Sequence, residues 1–127
     1  MRGMNKVYYL KLEIRDLEEE LKTIASVSAM NYSGMPHSTG VSDTTYNLAL
    51  KGEKIFEKLV RKKIKLLEEI DRIESIIEQI EDDEIRAMAR MRFIKTMKWE
   101  DIGEVVHLDR TVCSKKVRKY LERMEIG

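Results

Sequence analysis

Apolar residues recur along this chain at helical spacing in two long runs. In the first, Val7, Leu10, Ile14, Leu17, Leu21 and Ile24 are separated by 3, 4, 3, 4 and 3 residues. This is the a/d seam of a helix that packs along its length, with Leu12 beside it. Most remaining positions are charged, and no Gly or Pro lies between Asn5 and Ser33. The spacing predicts a helix from Asn5 to Ser26. Residues 27–43 lose the periodicity, are rich in Ser, Gly, Thr and Asn, and hold the only proline. They are expected to form a loop, with Ser42 or Asp43 capping the next helix. The second run places Phe56, Leu59, Leu66, Ile70, Ile73, Ile77 and Ile80 on a seam interrupted at Lys63. Val60, Ile64, Leu67 and Ile76 widen this stripe. It predicts a helix from Asp43 to about Glu81.

After residue 82 the pattern shortens. Asp82 or Asp83 can cap a helix whose apolar positions are Ile85, Met88, Met91, Phe93 and Ile94, up to a break at Thr96–Lys98. Trp99–Val106 reads as a two-turn helix with Glu100 and Asp101 in its first turn, where carboxylates suit the helix dipole. His107 and Leu108 make a turn. Asp109 caps a last helix from Arg110 to about Met124, with Cys113, Val117, Tyr120 or Leu121, and Met124 on its buried stripe. The fold class expected is all-α: a long antiparallel coiled-coil hairpin over 1–82, then a helical bundle over 83–127.

Charge refines this picture. The formal net charge is +1, with 24 Lys and Arg against 23 Asp and Glu, but the charges come in blocks. Residues 13–20 are acidic, 51–65 basic, 68–84 acidic and 107–121 basic. In an antiparallel hairpin with residue 16 near residue 54, the first acidic block faces the first basic block. The simplest role for residues 51–65 is then a salt-bridged, solvated face rather than a second nucleic-acid contact. The second helix is longer than the first, which leaves Leu66, Ile70, Ile73, Ile77 and Ile80 to be covered by the C-terminal region or a second chain. A homo-oligomer through these residues is the expectation, since each would cost about 1.5–3 kcal/mol if left in water.

The last thirty residues fit a helix-turn-helix. Ile102, Gly103, Val106, Leu108 and Cys113 supply, in order, an apolar residue, a small residue at the helix crossing, two apolar residues about the turn and an anchor in the second helix. Glycine weakens a helix interior by about 1 kcal/mol, so Gly103 implies a close approach that excludes side chains larger than Ala. The positions of the last helix not used for packing are Arg110, Thr111, Ser114, Lys115 and Arg118. Such side chains suit base edges and phosphates when the first turn of a recognition helix enters the major groove. Lys116, Lys119 and Arg123 lie off the buried stripe and are suited to backbone phosphates.

Other chemistry is not expected. One cysteine cannot form an internal disulfide, and Cys113 reads as a small buried residue rather than a nucleophile. His37 and His107 are far apart, so no metal spacing is present. No enzyme activity, cofactor or metal is expected. Charges interrupt the N-terminal apolar stretch, so no secretory signal is read there, and no apolar run suits a membrane.

Two stretches resemble a known family. W-E-D-I-G at 99–103, followed by D-R-T-V-C-S-K-K-V-R-K-Y-L at 109–121, is similar to the sigma region-4-like helix-turn-helix of phage regulators. Residues 33–43, S-G-M-P-H-S-T-G-V-S-D, resemble the G-M-P…S…G…S-D signature of a small phage family akin to the ArpU- and RinA-type regulators of late-gene transcription. The resemblance covers essentially the whole chain. It implies a phage- or prophage-encoded, sequence-specific transcriptional regulator, an activator of late genes, with Arg110, Thr111, Ser114, Lys115 and Arg118 facing DNA. Double-stranded DNA and host RNA polymerase are the implied partners, and the nucleoid in the host cytoplasm is the implied address. Cys113 replaces the usual β-branched anchor and Gly103 a common alanine, departures expected to soften the motif. Two other readings remain open at this point. A small terminase subunit joins the same parts in a ring, and a coiled-coil interaction protein would bind no DNA.

Overall fold

The structure, a computed structural model, describes residues 3–33 and 43–126. The fold is all-α. Among the described residues the helices are α1 (Lys6–Ser33), α2 (Asp43–Ile77), α3 (Asp83–Phe93), α4 (Trp99–Val106) and α5 (Arg110–Ile126). None is long and apolar enough to cross a membrane. Residues 27–33 belong to α1 and not to the expected loop, because nothing in them breaks a helix before Gly34. The rest of that loop, residues 34–42, lies outside the described residues, as does the side-chain cap expected from Ser42 or Asp43.

Contacts divide the chain into two compact units, one of Leu10–Lys65 and one of Met1–Tyr9 with Leu66–Gly127. The division differs from the expected boundary at residue 82. The end of α2 and the start of α1 give their apolar side chains to the C-terminal core.

In the 10–65 unit, α1 and α2 run antiparallel. Glu13 Oε2 lies 2.7 Å from Lys62 Nζ, and a Cβ built on Gly52 would sit 3.7 Å from Ile24 Cγ2. The pairing is therefore offset from the expected one, with residue 13 opposite 62. Ile14, Ile55 and Leu59 are buried here. Phe56 is not on the seam. It is 57% exposed, and Ile55 takes the inward place. The inward positions step from Gly52 through Ile55, Leu59 and Lys62 to Leu66. The seam thus crosses a lysine at 62 and not at 63. Lys62 can occupy it because its aliphatic stem lies along the seam while its ammonium reaches Glu13.

The other unit holds one hydrophobic core. Met4 and Val7 of the first segment meet Ile73, Ile77 and Ile80 at the end of α2, Met88, Ala89 and Phe93 of α3, Ile102 of α4, and Cys113, Val117 and Leu121 of α5. Ile73, Ile77 and Ile80 are 0%, 2% and 1% exposed, and Leu66 and Ile70 pack partly against the same cluster. The chain covers these side chains itself. The homo-oligomer expected through Leu66, Ile70, Ile73, Ile77 and Ile80 therefore loses its surface. Polar clasps close the unit. Glu81 N donates to Tyr120 Oη at 3.0 Å, Arg86 Nη1 to Ile80 O at 2.8 Å, and Arg72 Nη2 to Gly3 O at 2.9 Å. Arg90 and Glu74 form an ion pair at 3.0 Å.

Local chemistry sets the helix ends. Asp82 Oδ1 accepts from Ile85 N at 2.9 Å, capping α3. Asp109 Oδ2 accepts from Thr111 N at 3.0 Å at the start of α5. Between α4 and α5, His107 takes φ 59 and ψ 42, the left-handed conformation glycine usually fills after a helix. The amide of Leu108 then returns to Gly103 O at 3.0 Å. A Cβ on Gly103 would lie 2.5 Å from Leu108 O, so even alanine collides with backbone. Gly103 does not soften the motif; the turn requires it. The exposed His107 holds its φ at a cost, so His107→Gly should raise the unfolding free energy by about 0.5–1 kcal/mol. A denaturation midpoint unchanged or lowered would mean that the imidazole contributes to the turn.

Candidate nucleic-acid interface

The turn of α4 into α5 directs one side of α5 away from the core. Cys113 and Val117 are fully buried and Leu121 nearly so, which fixes the rotation of the helix. Arg110, Thr111, Lys115 and Arg118 are then exposed, and Ser114 is half-buried. With Lys98, Trp99 and Glu100 of the α4 start, these five line one groove of about 470 Å³. Four cations and two hydroxyls face a single carboxylate. Arg110 and Lys115 enter no ion pair among the described residues. Charge-assisted bonds to phosphate, and bidentate contact of arginine to guanine, are the chemistry this arrangement offers. Glu100 would repel phosphate but can accept from a cytosine amine.

A hollow of about 610 Å³ over the turn is larger, but Glu100, Glu104 and Asp109 line it with Arg110 as its only arginine or lysine among the described residues. Carboxylates in that number disfavour an anionic partner, so the α5 groove is the candidate site.

The expected residues divide into two sets. Arg110, Thr111, Ser114, Lys115 and Arg118 come together in the groove. Lys116 does not, since its Nζ lies 3.1 Å from Glu84 Oε1 on α3. Lys119 is exposed outside the groove lining. Sequence reasoning missed Lys98 and Arg92. Lys98 is the residue before α4, and it borders the groove. The Arg92 guanidinium stands 5.1 Å from the centre of the Trp99 ring, and its Nη1 donates to Met97 O at 3.0 Å. It thereby fixes the α3–α4 connection and the indole at the groove edge. The signal available was an arginine one turn before a break that ends in tryptophan.

Cys113 lies beneath this surface. Burial, first, pushes its thiol above the ordinary range, and the carboxylates of Glu84 and Asp109 add to the effect. A thiol so held is poorly nucleophilic. No group of three or more His, Cys, Asp and Glu side chains is placed to hold a metal among the described residues. Comparison with protein-family models, curated proteins and solved structures gave no match for this chain.

Proposed function

We propose that this chain is a sequence-specific DNA-binding transcriptional regulator that lays α5 in the major groove. The carrying observation is the groove along α5, in which Arg110, Thr111, Ser114, Lys115 and Arg118 stand together with Lys98 while the opposite side of α5 is locked into the core. Ser114 and Thr111 reach base edges, Arg110 and Lys115 read or neutralise, and Lys98 and Arg118 hold phosphates. The phage late-gene assignment rests separately on the motif at residues 33–43. In that reading double-stranded DNA is the first partner and host RNA polymerase the second, at the host nucleoid. The heptad spacing of the antiparallel α1–α2 pair supports a coiled-coil hairpin as its supporting element.

Replacing Arg110 and Lys115 together by alanine tests the reading. Titration of the full chain against duplex from the late promoter of the same phage element should show about ten-fold or greater loss of affinity. The slope of log K against log salt should fall by about 0.9 for each phosphate contact removed. Affinity and slope both unchanged would remove α5 from the interface.

A further inference from the structure

The basic block at 51–65 bridges to α1 through a single side chain. Of its seven cations, only Lys62 forms an ion pair among the described residues, with Glu13. Lys51, Lys54, Lys58, Arg61 and Lys65 are all exposed, and their spacing of 3, 4, 3 and 4 sets them in one line along α2. The line covers roughly 21 Å at 1.5 Å per residue. It lies beside the packing seam, to one side of Ile55 and Leu59, and away from the exposed Phe56, Val60 and Ile64. No apolar residue stands in it.

We propose that this stripe is a second, sequence-independent contact for the phosphate backbone of duplex DNA. The composition of the face chooses among anionic partners. Protein interfaces depend on aromatic and aliphatic anchors, and membrane-surface helices on an apolar face that enters the lipid. The exposed apolar residues of α2, Phe56, Val60 and Ile64, lie on another side of the helix, so the line of five cations presents neither. What it supplies is regularly spaced positive charge, which is sufficient for a polyanion whose binding is driven by release of counterions. Glu13 and Asp16 line a groove of about 500 Å³ with Lys58, Arg61, Lys62 and Lys65, and they offset part of the field at that end. Glu13 is already matched by Lys62, which leaves Asp16 of that lining, and Glu57 one turn from Lys54 and Arg61 on α2 itself, against the five cations. The identity of the polyanion as DNA rests on the function proposed for α5; the stripe itself does not.

The test uses the full chain, a duplex of random sequence and fluorescence anisotropy at salt concentrations from roughly 50 to 200 mM. Changing Lys51, Lys54, Lys58, Arg61 and Lys65 together to glutamine, a comparable helix former, should weaken binding at low salt at least ten-fold. It should also flatten the salt slope by about 0.9 for each cation engaged. Arginine at the four lysine positions should preserve the slope, which separates charge from any damage to α2. An unchanged slope in the glutamine variant overturns the stripe and leaves α5 in place. The stripe is equally overturned if Arg110→Ala with Lys115→Ala removes all salt dependence while the five cations are intact. Equal binding to vesicles containing phosphatidylserine, lost in the glutamine variant, would assign the stripe to lipid and overturn the proposal. Absence of any DNA binding by the unaltered chain would overturn both the stripe and the α5 interface.

Discussion

Ile73→Ala should lower the unfolding free energy by about 2–5 kcal/mol, the range for removing a buried aliphatic side chain and leaving a cavity. Ile73 has no exposed surface and stands where Met4 and Val7 meet the C-terminal helices. Leu67, six residues earlier on the same helix, is 64% exposed. Leu67→Ala should therefore stay within about 0.5 kcal/mol of the parent. Urea denaturation of the two variants reads the difference as a displaced midpoint at constant slope for Ile73 alone. Equal small losses would return the isoleucines of α2 to a surface and restore the case for covering them with a second chain. The two outcomes differ by several kcal/mol, well beyond the error of the measurement.

Gly103→Ala has a sign opposite to the usual one. Alanine in place of a helical glycine ordinarily stabilises by about 1 kcal/mol. Here the added Cβ would lie 2.5 Å from Leu108 O and 3.4 Å from Arg110 N, both backbone atoms that cannot rotate away. Relieving the contact means opening the turn, breaking the Leu108 N–H bond to Gly103 O and lifting α5 from α4. Overpacking of this kind costs about 1–3 kcal/mol, and here it also offsets the propensity gain. The expected result is a net loss of stability, read by thermal melting, and the proposed DNA contact should weaken with it because the α5 groove loses its α4 edge. A higher melting temperature in the alanine variant would mean that the turn yields without cost.

These two positions also mark how far the sequence is legible. The helices of the C-terminal region can be read almost residue by residue. Each begins at a capping aspartate or a clear break, and Ile102, Cys113 and Val117 leave one choice of inner face. The groove residues come by subtraction, since whatever α5 does not bury it displays. Lys116 escapes that logic because its partner, Glu84, is thirty-two residues away on α3, and no local pattern announces a long-range ion pair. The long helices are harder. Ile55 and Phe56 are adjacent and both apolar, and periodicity does not choose between them. Pairing with α1 makes the choice, because the seam passes through Lys62. Composition also ends α1 too early, because Ser and Asn suggest a loop although no residue before Gly34 stops a helix. The isoleucines beyond residue 66 plainly need cover, but the cover is partly Met4 and Val7, about seventy residues upstream. A pairing of that range is fixed by topology rather than by spacing.

That closure limits how the molecule can be cut. A fragment beginning at residue 83, the natural choice for isolating the α5 groove, would carry α3 to α5 but neither Ile73, Ile77 and Ile80 nor the methionine and valine that roof them. The helices that carry the α5 groove are therefore held from both directions along the chain, and a bulky tag fused close to Met4 would burden them as directly as a change in α5.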